Sequence, residues 1–219
     1  MRETNAEDAV RDPDSLIGGV DAGSHAAALS RAAFMAILDG RTPRLSELAK
    51  ATEAEVEQLV GRAVIVDDGG YVVAARGLSL VPARQHRLAI RGRHFWTWCA
   101  IDVIGIPAGL REDAVAETSC SLCGTPVRVE FREGMIAHAS HPGATIWDAQ
   151  RRDGRGTAGP PHCALMNLFC SVAHLGGWRA ANPGEAGRAR TLSEAVEIGR
   201  AEWGALVDGR SGCSDECCP

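Results

Sequence analysis

No stretch of the chain reaches the roughly 18 consecutive apolar residues that a membrane helix needs, so a helical membrane span is not expected. The opening residues, MRETNAEDAVRDPDSLIGGVDAGSH, lack the apolar stretch of a secretory signal and carry several acids. A cytoplasmic protein is therefore expected. Basic residues are in deficit: 23 Lys and Arg stand against 28 Asp and Glu, a net charge of −5. That balance argues against nucleic acid and anionic membrane surfaces as partners. No internal repeat is visible. The hydrophobic fraction of 45% over 219 residues is ordinary, and suits one large domain or two small ones.

Cysteine is the residue in surplus. There are eight, at positions 99, 120, 123, 163, 170, 213, 217 and 218. With no export signal, these thiols are expected to be free, metal-binding or catalytic rather than a disulfide framework.

The organisation reads as four parts. Residues 1–25 form a polar, acidic arm. Residues 26–75 have the pattern of a winged-helix unit. Leu29, Ala33 and Ile37 share a helical face, and Thr42-Pro43 suits a helix start. Thr52 and Glu55 make a capping box for a third helix, and Val64–Val66 and Tyr71–Val73 flank a turn of Asp and Gly. Glu53, Glu55 and Glu57 on that third helix oppose DNA binding, because carboxylates repel phosphate, so a packing module is expected. Residues 76–208 form the core. Leu78, Leu80, Leu88 and Ile90 suggest strands, and His94–Ile106 suggests a buried helix stopped by Pro107. Val127–Phe131 alternates as a strand does. Arg151–Pro161 reads as a loop, Cys163–Ala173 as a buried helix, and Leu192–Val207 as an amphipathic helix. Residues 209–219 form a cysteine-bearing tail.

Four constellations carry possible chemistry. In Trp96-Thr-Trp-Cys99-Ala-Ile-Asp102, helical spacing lets the Cys99 sulfur and the Asp102 carboxylate touch. A carboxylate raises a neighbouring thiol's pKa, so the pair suits shared custody of a proton; the bland alternative is a buried structural cysteine. In Pro161-His162-Cys163, a cysteine at a helix start gains thiolate character. His162 is adjacent in sequence and poorly placed to act on Cys163, which weakens a Cys/His protease reading. Cys120-Ser-Leu-Cys123-Gly is half of a zinc ribbon with no second CxxC; zinc there would need partners such as the tail cysteines. Cys213, Cys217 and Cys218 suit a soft metal ion. His138 and His141 share a helical spacing but lie among loop-forming residues.

These motifs resemble the organomercurial (alkylmercury) lyases. The resemblance runs from about Ala33 to Trp178. It is strongest in Gly77-Leu-Ser-Leu, Trp98-Cys99-Ala-Ile-Asp102, Cys120 with Gly124-Thr-Pro-Val, and His162-Cys163 with Leu168-Phe-Cys-Ser171. It implies an α+β fold, with a winged-helix-like N-terminal region before a core of mixed, mostly antiparallel sheet and helices. It assigns catalysis to Cys99, Asp102 and Cys163, and a structural role to Cys120. Cys123, Cys170, the acidic arm and the cysteine tail depart from the family pattern.

The chemistry of the residues agrees with that resemblance. Hg(II) is soft, and thiolates are its natural ligands. Two sulfurs on mercury weaken the mercury–carbon bond, and Asp102 can pass the Cys99 proton to the departing carbon. The products are a hydrocarbon and Hg(II) held by Cys99 and Cys163, with a possible Asp102 contact and no organic cofactor. The implied partners are an organomercurial substrate, small thiols and a mercuric reductase that accepts the Hg(II). Cys213, Cys217 and Cys218 are candidates for a mercury relay. The competing readings are a thiol-based, metal-binding transcriptional regulator of the winged-helix type and a zinc-stabilised binding module.

Overall fold

The first helix, α1 (His25–Leu38), buries Leu29, Ala33, Phe34 and Ile37, the face expected from their spacing. This computed structural model describes residues 25–48, 52–150 and 159–208. The expected arm, apart from His25, and the cysteine tail lie outside the described residues. A second helix, α2 (Leu45–Leu48), starts two residues beyond Pro43. Pro43 is thus not the first helical residue; its carbonyl instead accepts the Val72 N–H at 2.9 Å. In α3 (Glu53–Leu59) the capping box is formed as expected, with the Thr52 N–H donating to Glu55 Oε2 at 2.8 Å. Strands β1 (Val64–Val66) and β2 (Val72–Ala75) pair antiparallel. Their turn is held by Asp67 Oδ1, which accepts the Gly69 and Tyr71 N–H groups at 2.9 Å each.

This hairpin continues into the main sheet through β3 (Leu78–Ser79). The other strands are β4 (Arg87–Ile90), β5 (Arg93–Thr97), β6 (Ala114–Ser119), β7 (Pro126–Arg132) and β8 (Met135–Ala139). The eight run in the order β1-β2-β3-β5-β4-β6-β7-β8, every neighbouring pair antiparallel. In β7 the inward Val127, Val129 and Phe131 alternate with outward polar residues, the pattern of a sheet with one covered face. A second sheet places β9 (Thr145–Ala149) between β10 (Leu168–Phe169) and β11 (Gly187–Thr191).

Helix α4 (Ala100–Leu110) is buried over ten consecutive residues, Ala100 to Gly109. Sequence periodicity placed its start near His94. Residues 93–97 instead form β5, which alternates, burying Phe95 and Thr97 and leaving His94 exposed. Nor does Pro107 stop the helix, which runs to Leu110 and ends at Arg111 in the left-handed region (φ 57°). An interior proline costs about 3 kcal/mol, and burial of apolar side chains on every face of α4 outweighs it.

The expected helix over Cys163–Ala173 is replaced by three pieces. Pro161–Leu165 forms a 3-10 turn, Leu168–Phe169 pairs with β9, and α5 (Val172–Ala181) starts only after the Ser171 N-cap. A short apolar run fits a buried strand as well as a helix, and here pairing to β9 decides it. The last helical segment divides into α6 (Leu192–Gly199), a π-helical turn (Arg200–Gly204) and α7 (Ala205–Asp208). The turn carries Trp203 over α4, where a Cβ on Gly105 would lie 2.6 Å from its ring and 3.0 Å from the Gly199 Cα. Glycines at both contacts let α4 and α6 approach backbone to backbone. The Trp203 indole N–H donates to the Arg76 carbonyl at 3.0 Å, and the Arg76 guanidinium donates to Ser30 of α1. Buried residues of α1, both sheets and α4 form one continuous core. Among the described residues, no helix is long and apolar enough to cross a membrane.

Candidate active site

Cys99 is the N-cap of α4, in extended conformation after β5, and Asp102 is its third helical residue. The Cys99 backbone N–H donates to Asp102 Oδ2 at 3.0 Å. This is the geometry of a capping box, with cysteine in the place of the hydroxyl residue and aspartate in the place of glutamate. The expected proximity of the pair is therefore present, but it arises from the helix entry and not from one helical face.

Cys163 reaches the same point from the 3-10 turn. The turn is tied to the start of α4 by the Ala100 N–H, which donates to the Met166 carbonyl at 3.1 Å. The Cys163 side chain comes close enough to the Cys99 thiol to raise its pKa. Cys163 is thus in a 3-10 turn and not at an α-helix N-terminus. All three groups are buried, at 1% exposure for Cys99, 6% for Asp102 and 6% for Cys163. Two glycines make room for Asp102 and for Trp98, the neighbour of Cys99. A Cβ on Gly77 (φ +88°) would lie 2.5 Å from Asp102 Cγ, and one on Gly159 (φ +94°) would lie 2.4 Å from the Trp98 ring.

Burial pushes the Cys99 thiol well above its ordinary pKa, helped by the nearby Cys163 side chain and the Asp102 charge. Burial also lifts the Asp102 carboxyl to about 7, against hydrogen bonds from Cys99 and Trp98 that favour the ionised form. Near neutrality the site therefore holds a thiol that keeps its proton beside a carboxylate able to take it. Two sulfurs and one transferable proton are what a soft metal–carbon bond needs for cleavage.

The other candidates fall elsewhere. Cys120 is buried at the end of β6, and its sulfur lies 3.5 Å from His174 Nδ1. Burial would raise the Cys120 thiol, but the backbone N–H groups of Cys170, Cys123 and Leu122 outweigh it and draw the pKa down to about 7. Cys123 and Cys170 join the same cluster, their sulfurs 3.9 Å apart. His174 was missed in the sequence, although Cys170-x3-His174 after Cys120-x2-Cys123 is a metal-ligand spacing. His162 is buried in the 3-10 turn beside Cys163. His138 lies on β8 and not in a loop, and neither it nor His141 belongs to the cluster. Cys213, Cys217 and Cys218 lie outside the described residues.

The family model for alkylmercury lyase matches residues 78–204. The chain belongs to the alkylmercury lyase family. That segment holds Cys99, Asp102 and Cys163, and the family's activity, carbon–mercury bond cleavage, is the activity of this enzyme. An alkylmercury lyase of Bacillus cereus is 24% identical over 195 residues, 87% of each chain. One of Streptomyces lividans is 24% identical over 185 residues, 83% of this chain and 84% of the relative. The crystal structure of the mercury-bound form of MerB2 superposes with a TM-score of 0.73 at 23% identity, covering 84% of this chain and 92% of that one. That likeness establishes the lyase fold, an α+β arrangement built on a large antiparallel sheet.

Proposed function

We propose that this alkylmercury lyase performs protonolysis with Cys99, Asp102 and Cys163 as its catalytic residues. The observation that carries the reading is the meeting of two buried thiols and one buried carboxyl at the entry of α4. The substrate arrives as an organomercurial bound to a small thiol, R–Hg–SR′. Cys99 attacks mercury and its proton passes to Asp102. Cys163 binds mercury next, and its proton leaves with the displaced R′S group as R′SH. Asp102 returns its proton to the carbon as the Hg–C bond breaks. The products are RH, R′SH and Hg(II) bridging Cys99 and Cys163, so two thiol protons enter and two leave. No oxidant or organic cofactor takes part. A resting Cys99 that keeps its proton suits this order, because that proton ends on the hydrocarbon.

Small thiols and a mercuric reductase are the acceptors proposed for the Hg(II) product, in a cytoplasmic setting, with Cys213, Cys217 and Cys218 as a relay toward them. We read α1–α3 and the β1–β2 hairpin as a winged-helix-like packing module. Its Glu55 is turned back onto Thr52 and His25, the latter at 2.8 Å, rather than held outward. The deciding experiment is incubation of the protein with phenylmercury and excess thiol, with benzene measured in the headspace. Benzene from the wild type and none from Cys99→Ser or Cys163→Ser is expected. Wild-type rates in either variant would sink the assignment.

A further inference from the structure

We propose that Cys120, Cys123, Cys170 and His174 form a structural zinc site of the Cys3His type, separate from the mercury-cleaving centre. One ligand atom from each, three sulfurs and one imidazole nitrogen, lies within 4.8 Å of every other. The Cys123 and Cys170 sulfurs are 3.9 Å apart, and His174 Nδ1 lies 3.5 Å from the Cys120 sulfur and 3.1 Å from that of Cys170. Tetrahedral zinc with Zn–S bonds of about 2.3 Å places its sulfurs about 3.8 Å apart. The four groups therefore already stand close to the corners of such a tetrahedron.

The backbone is shaped for the same purpose. Cys120 and Cys123 flank a tight turn between β6 and β7. There the Gly124 N–H donates to the Cys120 carbonyl at 2.8 Å and Gly124 takes φ +73°. Cys170 and His174 are four residues apart across the start of α5, where Ser171 Oγ accepts the His174 N–H at 3.2 Å. A half-ribbon without a second CxxC is thus completed by a Cys-x3-His pair from a distant segment and not by the tail. Four ligands including an imidazole match the tetrahedral donor set of structural zinc, whereas a softer ion such as Hg(II) would be satisfied by the thiolates alone.

The ion would staple the β6–β7 turn to the segment that supplies Cys163. That segment runs from the 3-10 turn through β10 directly to Cys170, and Leu168 already accepts the Ser121 N–H at 2.9 Å. Zinc would act as a clamp on the position of Cys163, with no part in the chemistry.

The test is zinc loading of the full chain, removal of loose metal with a weak chelator, and atomic emission analysis. About one zinc per chain is expected, and cobalt substituted for it should show thiolate charge-transfer and intense tetrahedral d–d bands. Cys123→Ser, at an exposed position, and His174→Asn should each lower retained zinc at least tenfold, with folding checked by circular dichroism. Cys99→Ser/Cys163→Ser and a chain truncated after Gly209 should both keep it. Folded wild type that retains less than a tenth of an equivalent would overturn the proposal. So would full retention in the Cys123→Ser/His174→Asn double variant, or loss of zinc on removing the tail or the two catalytic thiols.

Discussion

Gly77 lies flat against the Asp102 carboxyl: a Cβ added there would stand 2.5 Å from Cγ and less than 3 Å from both oxygens. Gly77 also accepts the Trp98 N–H at 3.0 Å and takes φ +88°. The β2–β3 turn therefore forms one wall around the carboxyl proposed to carry the proton. Gly77→Ala should displace Asp102 and strain the turn, since side chains are disfavoured at that φ. A loss of at least tenfold in kcat and of about 1–3 kcal/mol in stability is expected, read by phenylmercury turnover and urea unfolding. An unchanged kcat would show that Asp102 is not confined by this wall.

Asp102→Asn should retain Hg(II) on the two thiols yet lose cleavage. The amide keeps the shape and can still accept the Cys99 N–H, but it cannot take and return a proton. Loss of a general acid costs about 10²–10⁴-fold. Single-turnover benzene release compared with bound mercury per chain separates the two effects, and wild-type release would remove Asp102 from the mechanism.

The Asp102 carboxyl, lifted by burial to about 7, sets a pH dependence. It must be ionised to accept the Cys99 proton. The single-turnover rate with phenylmercury should therefore fall about tenfold per unit as pH drops below about 7. A level rate from about pH 5 to 7 would contradict this assignment of the base.

The same group predicts an opposite trend in stability. Its pKa is raised from 3.8 in the unfolded reference to about 7 in the fold. The folded state thus holds the proton more tightly, and this contribution is complete below about 3.8 and lost as pH rises through about 7. Asp102→Asn should be more stable than wild type at about pH 8, by at most roughly 4 kcal/mol. The difference should shrink toward about pH 4. Denaturant midpoints at both pH values measure it; an Asn variant that is less stable at both would show that the carboxylate is stabilised in the fold rather than penalised.

Truncation after Gly209 tests the relay assigned to Cys213, Cys217 and Cys218. Product Hg(II) held by two buried sulfurs should leave by exchange with an incoming thiol, as disulfides exchange. A tethered thiol acts at an effective concentration of about millimolar. Single-turnover cleavage should survive the truncation. Multiple turnover should slow when external thiol is scarce and recover as thiol is added. Equal rates at limiting thiol would rule out the relay.

The sequence by itself determined the chemistry and the local signals. Cys99-x2-Asp102 and a later Cys163, read through the family resemblance, mark the candidate site, and the Thr52–Glu55 cap and the alternation of Val127, Val129 and Phe131 mark their elements, because caps and strand periodicity are local rules. Tertiary structure decided the rest. Apolar runs at 94–106 and 163–173 do not say whether a buried segment is strand or helix; pairing of β5 with β3 and β4, and of β10 with β9, made that choice. The sequence also could not show that Cys163 meets Cys99 through the bond between Ala100 and Met166, or that His174 completes the set begun at Cys120. Those contacts join residues about 50 to 70 positions apart. They form only when sheets and helices close around one core, since no local preference brings such distant groups together.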